Sequence, residues 1–402
     1  MLTFAGYGIG NPVIYWLLRI LLLCILIYCG WGISYDNSKK FTKYAWIAGL
    51  SYSLIQGLRW LRGADYPHYY DDIVTLLGKY SGGISNGEET IDPEPLYELW
   101  CNIFYYSGLP FWLAFIIYSA LLIGGVIIVL KKMPNCAIWV LPIFFLLTQS
   151  SENIIRQYIA VSFLLYAIYF YLNNEKIKMV CSLVAIILIH FSGIIAIAAF
   201  LFIIIIPEKV FNILEKKNMI YIYIGLFVFV YFFWDISKLS TFADWLGNNL
   251  HFADDSKGAY YIDDADRWFS DEGSMSNVLG KKAAGVSMLN QTITFLTYSS
   301  IIYYGFRFIS IYKKYRIFFY LSYAAIIVKT IGGDVEMFTR IYHWLVVFIP
   351  FLIGLYMVNG NVNKNIKYCL YGIYGLFFLW FAFISNIFTT SMFGYGFIWD
   401  KY

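Results

Sequence analysis

The chain has 402 residues, of which 60% are hydrophobic and only 13% charged, with a formal net charge of +4. A soluble protein of this size carries about a quarter of its residues as charges, so a soluble globular enzyme is excluded. Apolar runs long enough to cross a bilayer recur along the chain, and they are continuous rather than alternating. This excludes a β-barrel and predicts an all-α polytopic membrane protein.

The first apolar run, near 12–34, is long, has no basic region before it and is followed by SYDNSKK. It reads as a retained first span rather than a cleaved signal. The second, near 44–61, runs into RWLRGADYPHYY, residues Arg59 to Tyr70. Further spans are expected near 109–130, 136–150, 154–172, 177–190, 192–206, 219–234, 287–309, 316–331, 338–357 and 366–386, about twelve helices in all. The thirty positions of 177–206 are short for two spans, but a single helix there would invert the charge pattern of everything downstream. Two short limbs meeting at HFSG (His190–Gly193) are therefore expected. Their shortness sinks the turn below the outer surface and puts His190 at the floor of an outward-facing cavity.

Alternate connections are rich in lysine: SYDNSKKFTK, KKMPN, NNEKIK, PEKVFNILEKK, YKKYR and NVNKNIK. The positive-inside rule places them in the cytoplasm and both termini outside. The chain reads as a single transmembrane domain, 1–402. Two long segments fall on the outer side: 62–108, with an interfacial helix, and 235–286.

Several polar groups gather on that outer face. Arg156 stands in the first turn of an inward-running helix, where a cation opposes the helix dipole and an anion such as phosphate improves the site. Arg340, in GGDVEMFTRIYHW, has the same setting, and His343 lies one turn from it. Local ion pairs are the competing reading: Glu152 for Arg156, and Asp334 or Glu336 for Arg340. Arg59 and Arg62 close a helix at its C-terminal end, where cations are favoured anyway. Asp65 follows Arg62 by three positions and is stiffened by Pro67, which makes either an internal ion pair or a carboxylate fixed at a cavity mouth. Glu94 begins an amphipathic segment, where an N-terminal helix acid is the plain reading. A lone histidine such as His190 is most often satisfied by a backbone carbonyl.

Other signals carry less. The six cysteines (24, 29, 101, 136, 181, 369) form no CxxC pair and mostly fall in apolar runs, as packing residues do. The high aromatic content, 21%, suits membrane interfaces and helix contacts. Asp264-Ala265-Asp266 spells DxD but sits in an acidic outer loop that reads as a solvated face. No P-loop, GxSxG or HExxH is present.

The ordered set R-G-x-D-Y-x-x-Y, E-P-L-Y-E, I-R-Q-Y-I-A, H-F-S-G and a late R-I-Y resembles the EpsG-like family of Wzy-type polysaccharide polymerases, over roughly residues 59–345. Gly193 stands where such proteins often carry alanine. Carried over residue by residue, the resemblance points to Arg62, Asp65, Tyr66, Tyr69, Glu94, Pro95, Arg156, Gln157, His190 and Arg340. It implies a fold related to the multi-span class C glycosyltransferases. It also implies an inner-membrane enzyme that moves a growing glycan from undecaprenyl diphosphate onto a new lipid-linked repeat unit at the periplasmic face. The substrates are then undecaprenyl-diphosphate-linked oligosaccharides in a setting of membrane lipids, with chain-length regulator and flippase proteins as partners and no nucleic acid. No cofactor or metal is implied. Arg156 and Arg340, with Arg59 or Arg62 in support, would stabilise the leaving diphosphate. Asp65 leads as general base, with His190 and Glu94 behind it.

Two other readings compete. A flippase or transporter for the same lipid-linked sugars should carry charge through the bilayer, whereas here mid-span charges are few, Arg19 and Lys329 among them. An O-antigen ligase would share the donor and differ in the acceptor.

Overall fold

The computed structural model describes residues 12–35, 38–60, 65–76, 94–234, 284–332, 336–360, 362–379 and 396–397. Arg62 and the Asp264–Asp266 DxD lie outside these, as does Asp334. All twelve expected segments are helical over most of their described length. The chain divides into two compact units, 1–199 together with 381–402, and 200–380.

The first unit contains α1 (Pro12–Tyr35), α2 (Ser38–Gly57), β1 (Arg59–Trp60), α3 (Tyr66–Val74), α4 (Pro95–Ser107), α5 (Phe111–Leu130), α6 (Ala137–Leu147), α7 (Ile155–Leu172), α8 (Lys176–Ile189) and the first half of α9 (Ile194–Ile205). α2 packs on α1 and α5, α1 on α6, and α7 on both α5 and α8. Small residues let these helices approach closely. A Cβ on Gly57 would lie 2.5 Å from the Ile116 Cα and 2.6 Å from its amide nitrogen.

Two boundaries correct the sequence reading. α2 starts at Ser38, so the lysines expected in a connection ride its first turns. It also ends at Gly57 rather than 61. Arg59 and Trp60 leave the helix and pair antiparallel with Phe397 and Gly396. Arg59 is thus not a helix-end anchor, because the backbone has already turned into a two-stranded bridge. This bridge is the one departure from an all-helical architecture among the described residues.

The second unit continues with α10 (Glu208–Leu214), α11 (Met219–Phe233), α12 (Ala284–Ile309), α13 (Arg316–Gly332), α14 (Glu336–Leu345), α15 (Ile349–Asn359) and α16 (Lys364–Leu379). α12 packs against α11, α13, α15 and α16. A 3₁₀ turn at Val346–Phe348 joins α14 to α15 inside the expected 338–357 span.

Among the described residues, four helical stretches are long and apolar enough to cross a membrane by themselves: Ile14–Tyr35, Phe111–Leu130, Ile155–Leu172 and Met337–Asn359. With the shorter apolar helices Pro134–Leu147 and Met219–Phe233, this is the helical architecture of a polytopic membrane protein. The six cysteines are free. Cys29, Cys101 and Cys136 are buried as packing residues, whereas Cys24, Cys181 and Cys369 are exposed.

Candidate functional site

Glu94 stands at the start of α4, and Pro95 in the first turn suits a helix N-terminus because the missing N–H has no partner to lose. Tyr97, Cys101 and Phe104 recur at helical spacing and are the buried face of α4. That face packs α4 against α3 and α8. The helix stops at Gly108, whose left-handed φ of 66° suits glycine. Packing α4 on α8 brings Glu94 to His190, the residue that ends α8.

The Glu94 carboxylate does not cap its own helix. One oxygen, Oε1, lies 2.8 Å from the Nδ1 of His190 and accepts the Phe191 N–H at 3.1 Å. The other, Oε2, lies 2.7 Å from Nη1 of Arg156. The carboxylate is 2% exposed, the His190 ring 16% and the Arg156 side chain 27%. Burial would raise the Glu94 pKa, but the His190 hydrogen bond, the Arg156 charge and the Phe191 N–H outweigh it and hold the carboxyl below its ordinary value of 4.5. Glu94 is therefore an anion at neutral pH. A carboxylate can only accept, so the histidine is assigned with Nδ1–H as the donor.

The Arg156 guanidinium lies over the Tyr97 ring, 5.1 Å from its centroid. The Tyr97 hydroxyl donates to Asp72 at 3.0 Å. Burial pushes the Tyr97 pKa well above the usual tyrosine value, so it stays a neutral donor. Tyr69 meets Tyr97 edge to face, with centroids 6.5 Å apart.

Of the stretch RWLRGADYPHYY, residues 59–60 and 65–70 are described, and Tyr69 ties it to this cluster. The Asp65 backbone N–H donates to the Asn153 side chain at 3.0 Å, and the Tyr66 hydroxyl to the Arg59 carbonyl at 2.9 Å. Tyr66 is fully buried and stacks on Phe115 at 4.6 Å. Arg59 is also buried; its guanidinium donates to the Gln56 carbonyl and, at 3.3 Å, to the Glu152 carbonyl. A cavity of about 20 Å³ beside it, lined by Gln56, Tyr118 and Ser151 among others, is one water in size and too small for a sugar. Gln157 is buried within α7.

Glu152 is not the partner of Arg156. It sits in the 3₁₀ turn Gln149–Glu152, and its Oε1 lies 3.2 Å from Nη1 of Arg19. Tyr15 completes the group: its hydroxyl accepts from Arg19 at 2.6 Å and faces the other Glu152 oxygen at 3.3 Å. The Arg19 guanidinium also covers the Phe145 ring at 4.8 Å. Both charged side chains are below 10% exposed. A lone arginine inside an apolar span is a signal for a buried partner, but the sequence does not say which acid answers it. Tyr97 lies inside the E-P-L-Y-E motif and Asn153 just before I-R-Q-Y-I-A; their contacts, with Asp72 and Asp65, are long-range and no local pattern signals them.

Arg340 and His343 belong to the other unit. Arg340 is half-buried on α14, and His343 is buried next to Tyr342, with ring centroids 5.5 Å apart. Lys329 lies over the Tyr342 ring at 5.9 Å. Among the described residues no group of three His, Cys, Asp or Glu side chains is arranged to hold a metal ion.

Compared with known protein families, residues 42–397 match the profile of the EpsG family. The chain belongs to the EpsG family. Membership supports a membrane polysaccharide-polymerase role for this EpsG-family protein and is consistent with a glycosyl-transfer enzyme. No curated protein and no solved structure matched the chain.

Proposed function

We propose that this EpsG-family protein polymerises a surface polysaccharide, transferring the growing glycan from undecaprenyl diphosphate to a new lipid-linked repeat unit at the periplasmic face of the inner membrane. The observation that carries this reading is the bridging of Arg156 and His190 by one buried Glu94 carboxylate. Glycosyl transfer from a lipid diphosphate needs a base for the acceptor hydroxyl and a cation for the leaving group. Here both types of group share a single anchor.

In the proposed step, His190 Nε2 takes the proton of the acceptor hydroxyl as that oxygen bonds to the anomeric carbon of the donor sugar. The bond from that carbon to the diphosphate oxygen breaks, and the electron pair leaves with the diphosphate. Glu94 fixes the His190 tautomer and stabilises the imidazolium that forms. Arg156 meets the charge growing on the diphosphate through the exposed part of its guanidinium. This assignment moves the base from Asp65 to His190, because His190 has an orienting carboxylate. Asp65 is then placed beside the acceptor, held through its backbone by Asn153. Arg59 and Tyr66 brace that segment from within. Arg62 and Arg340 enter as further phosphate ligands through the family resemblance. About twelve spans, a class C-like fold, periplasmic termini, a periplasmic-facing cavity and a metal-independent, cofactor-free reaction belong to the same proposal.

Deletion in the parent bacterium, followed by surface-glycan electrophoresis, tests it. The expected mutant keeps lipid core plus a single repeat and loses the long-chain ladder. Loss of even the single repeat would overturn the reading in favour of a flippase or ligase.

A further inference from the structure

The second unit contains a cleft of about 220 Å³ at the end of α12, where α15 and α16 pack against that helix. Its inner wall is aromatic: Tyr304, Phe308 and Tyr356. Its mouth carries Arg307 and Asn363 beside apolar side chains that stand in the open: Ile311 is 68% exposed, Tyr312 42% and Ile366 40%. We propose that this cleft binds the headgroup of an anionic phospholipid, with the acyl chains lying over Ile311 and Ile366.

Charge complementarity argues for this occupant. Arg307 touches the Tyr303 hydroxyl at 3.4 Å, and no carboxylate lies within ion-pairing distance of it among the described residues. The rim continues in sequence into Lys313 and Lys314 on one side and Lys364 and Lys367 on the other. The acids of this region are already matched. Glu208 takes Arg316 at 2.7 Å and Lys313 at 3.8 Å, and Glu215 lies 3.2 Å from Arg316. Arg307, Lys314, Lys364 and Lys367 thus remain as positive charge without a carboxylate partner among the described residues.

Size and polarity narrow the ligand. The cleft is smaller than the roughly 300–1,000 Å³ that hold a whole drug-sized molecule, so it suits a phosphate-bearing headgroup rather than an entire amphiphile. The open apolar side chains at the mouth suit a ligand with an apolar remainder, which a free phosphate ester lacks. Basic pockets between membrane helices on the lysine-rich side take anionic headgroups by the same physics. The exposed apolar rim is the interfacial surface on which such a tail would rest.

The full-length protein in detergent, titrated by native mass spectrometry with dioleoyl phosphatidylglycerol, dioleoyl phosphatidylcholine and glycerol 3-phosphate, tests the site. Phosphatidylglycerol should bind more tightly than the other two. Arg307→Gln should weaken it about five-fold, as expected for one interfacial cation, and Ile311→Asp should weaken it as well. Lys176→Gln, an exposed lysine of the first unit, should leave it unchanged. Thermal unfolding of each variant reports whether it is folded; because Arg307 and Ile311 are both exposed, two independent variants probe the site. Equal binding of both phospholipids, or equal effects of Arg307→Gln and Lys176→Gln, would overturn the proposal. So would binding of glycerol 3-phosphate as tight as that of the lipid, which would mean a free-phosphate site.

Discussion

Glu94 and His190 are 96 residues apart in the chain, yet a carboxylate oxygen of one lies 2.8 Å from Nδ1 of the other. The second oxygen of the same carboxylate holds Arg156. Neither motif, E-P-L-Y-E or H-F-S-G, indicates by itself that it meets the other.

Removing the carboxylate should therefore cost two partners at once. Glu94→Ala takes the shared carboxylate from the partly exposed Arg156 guanidinium and from the His190 ring, and should lower stability by about 2 kcal/mol. Glu94→Asp is one methylene shorter and should lose polymer synthesis while recovering part of that stability, since it reaches one partner but not both. Thermal unfolding in detergent and glycan ladders at matched expression check the pair. A normal ladder from either variant would remove Glu94 from the mechanism.

His190→Gln keeps a hydrogen bond to Glu94 and removes the base. Polymer formation should fall about 100-fold or more, the scale of general-base catalysis, with little loss of stability. If Asp65→Asn abolishes polymer while His190→Gln does not, the base is Asp65.

Arg156→Lys keeps the charge and loses the planar fork that can hold Glu94 and a phosphate together. Activity should drop about 100-fold, near that of Arg156→Ala. Single-turnover assays with purified lipid-linked repeat units provide the measurement, and wild-type rates from the lysine variant would dismiss the phosphate role.

The pH dependence has a defined sign. The Glu94 carboxyl is held below its ordinary value of 4.5 in the folded state. A lowered folded pKa means the unfolded chain binds the proton more readily, so folding gains from this group at pH above about 4.5. That gain is lost as pH falls through the lowered folded value. Thermal stability measured from pH 7 downward should decline below pH 4.5, and Glu94→Gln should flatten that part of the decline.

Arg19 and Glu152 form a buried ion pair, for which single and double replacement should differ. Arg19→Met alone strands a buried carboxylate and should cost about 3–5 kcal/mol, whereas Arg19→Met with Glu152→Leu should recover most of it. A double variant no more stable than the single one would show that the pair matters through something other than mutual charge.

Much of the helical layout was legible in the sequence, because apolar runs and lysine-rich connections state it directly. The break at His190–Gly193 was legible too, from the shortness of 177–206. What escaped was pairing across distance. Arg156 read naturally with Glu152, its neighbour one turn away, but the 3₁₀ turn swings Glu152 to Arg19 and leaves Arg156 to Glu94. Arg59 read as an anchor at a helix end, because nothing in RWLRG announces that the helix stops at Gly57. There the Ile116 backbone comes too close for a side chain. Local patterns specify helices, and tertiary packing decides which charges meet.

The Gln149–Glu152 turn gives up helical hydrogen bonds between two apolar helices and is held instead by two arginines, Arg19 on its side chain and Arg59 on its backbone. The side-chain contact needs a particular acid; the backbone contact accepts any residue at 152. Across related sequences, positions 19 and 152 should therefore change together, from charged to apolar in step, while position 59 should keep its arginine regardless of what stands at 152.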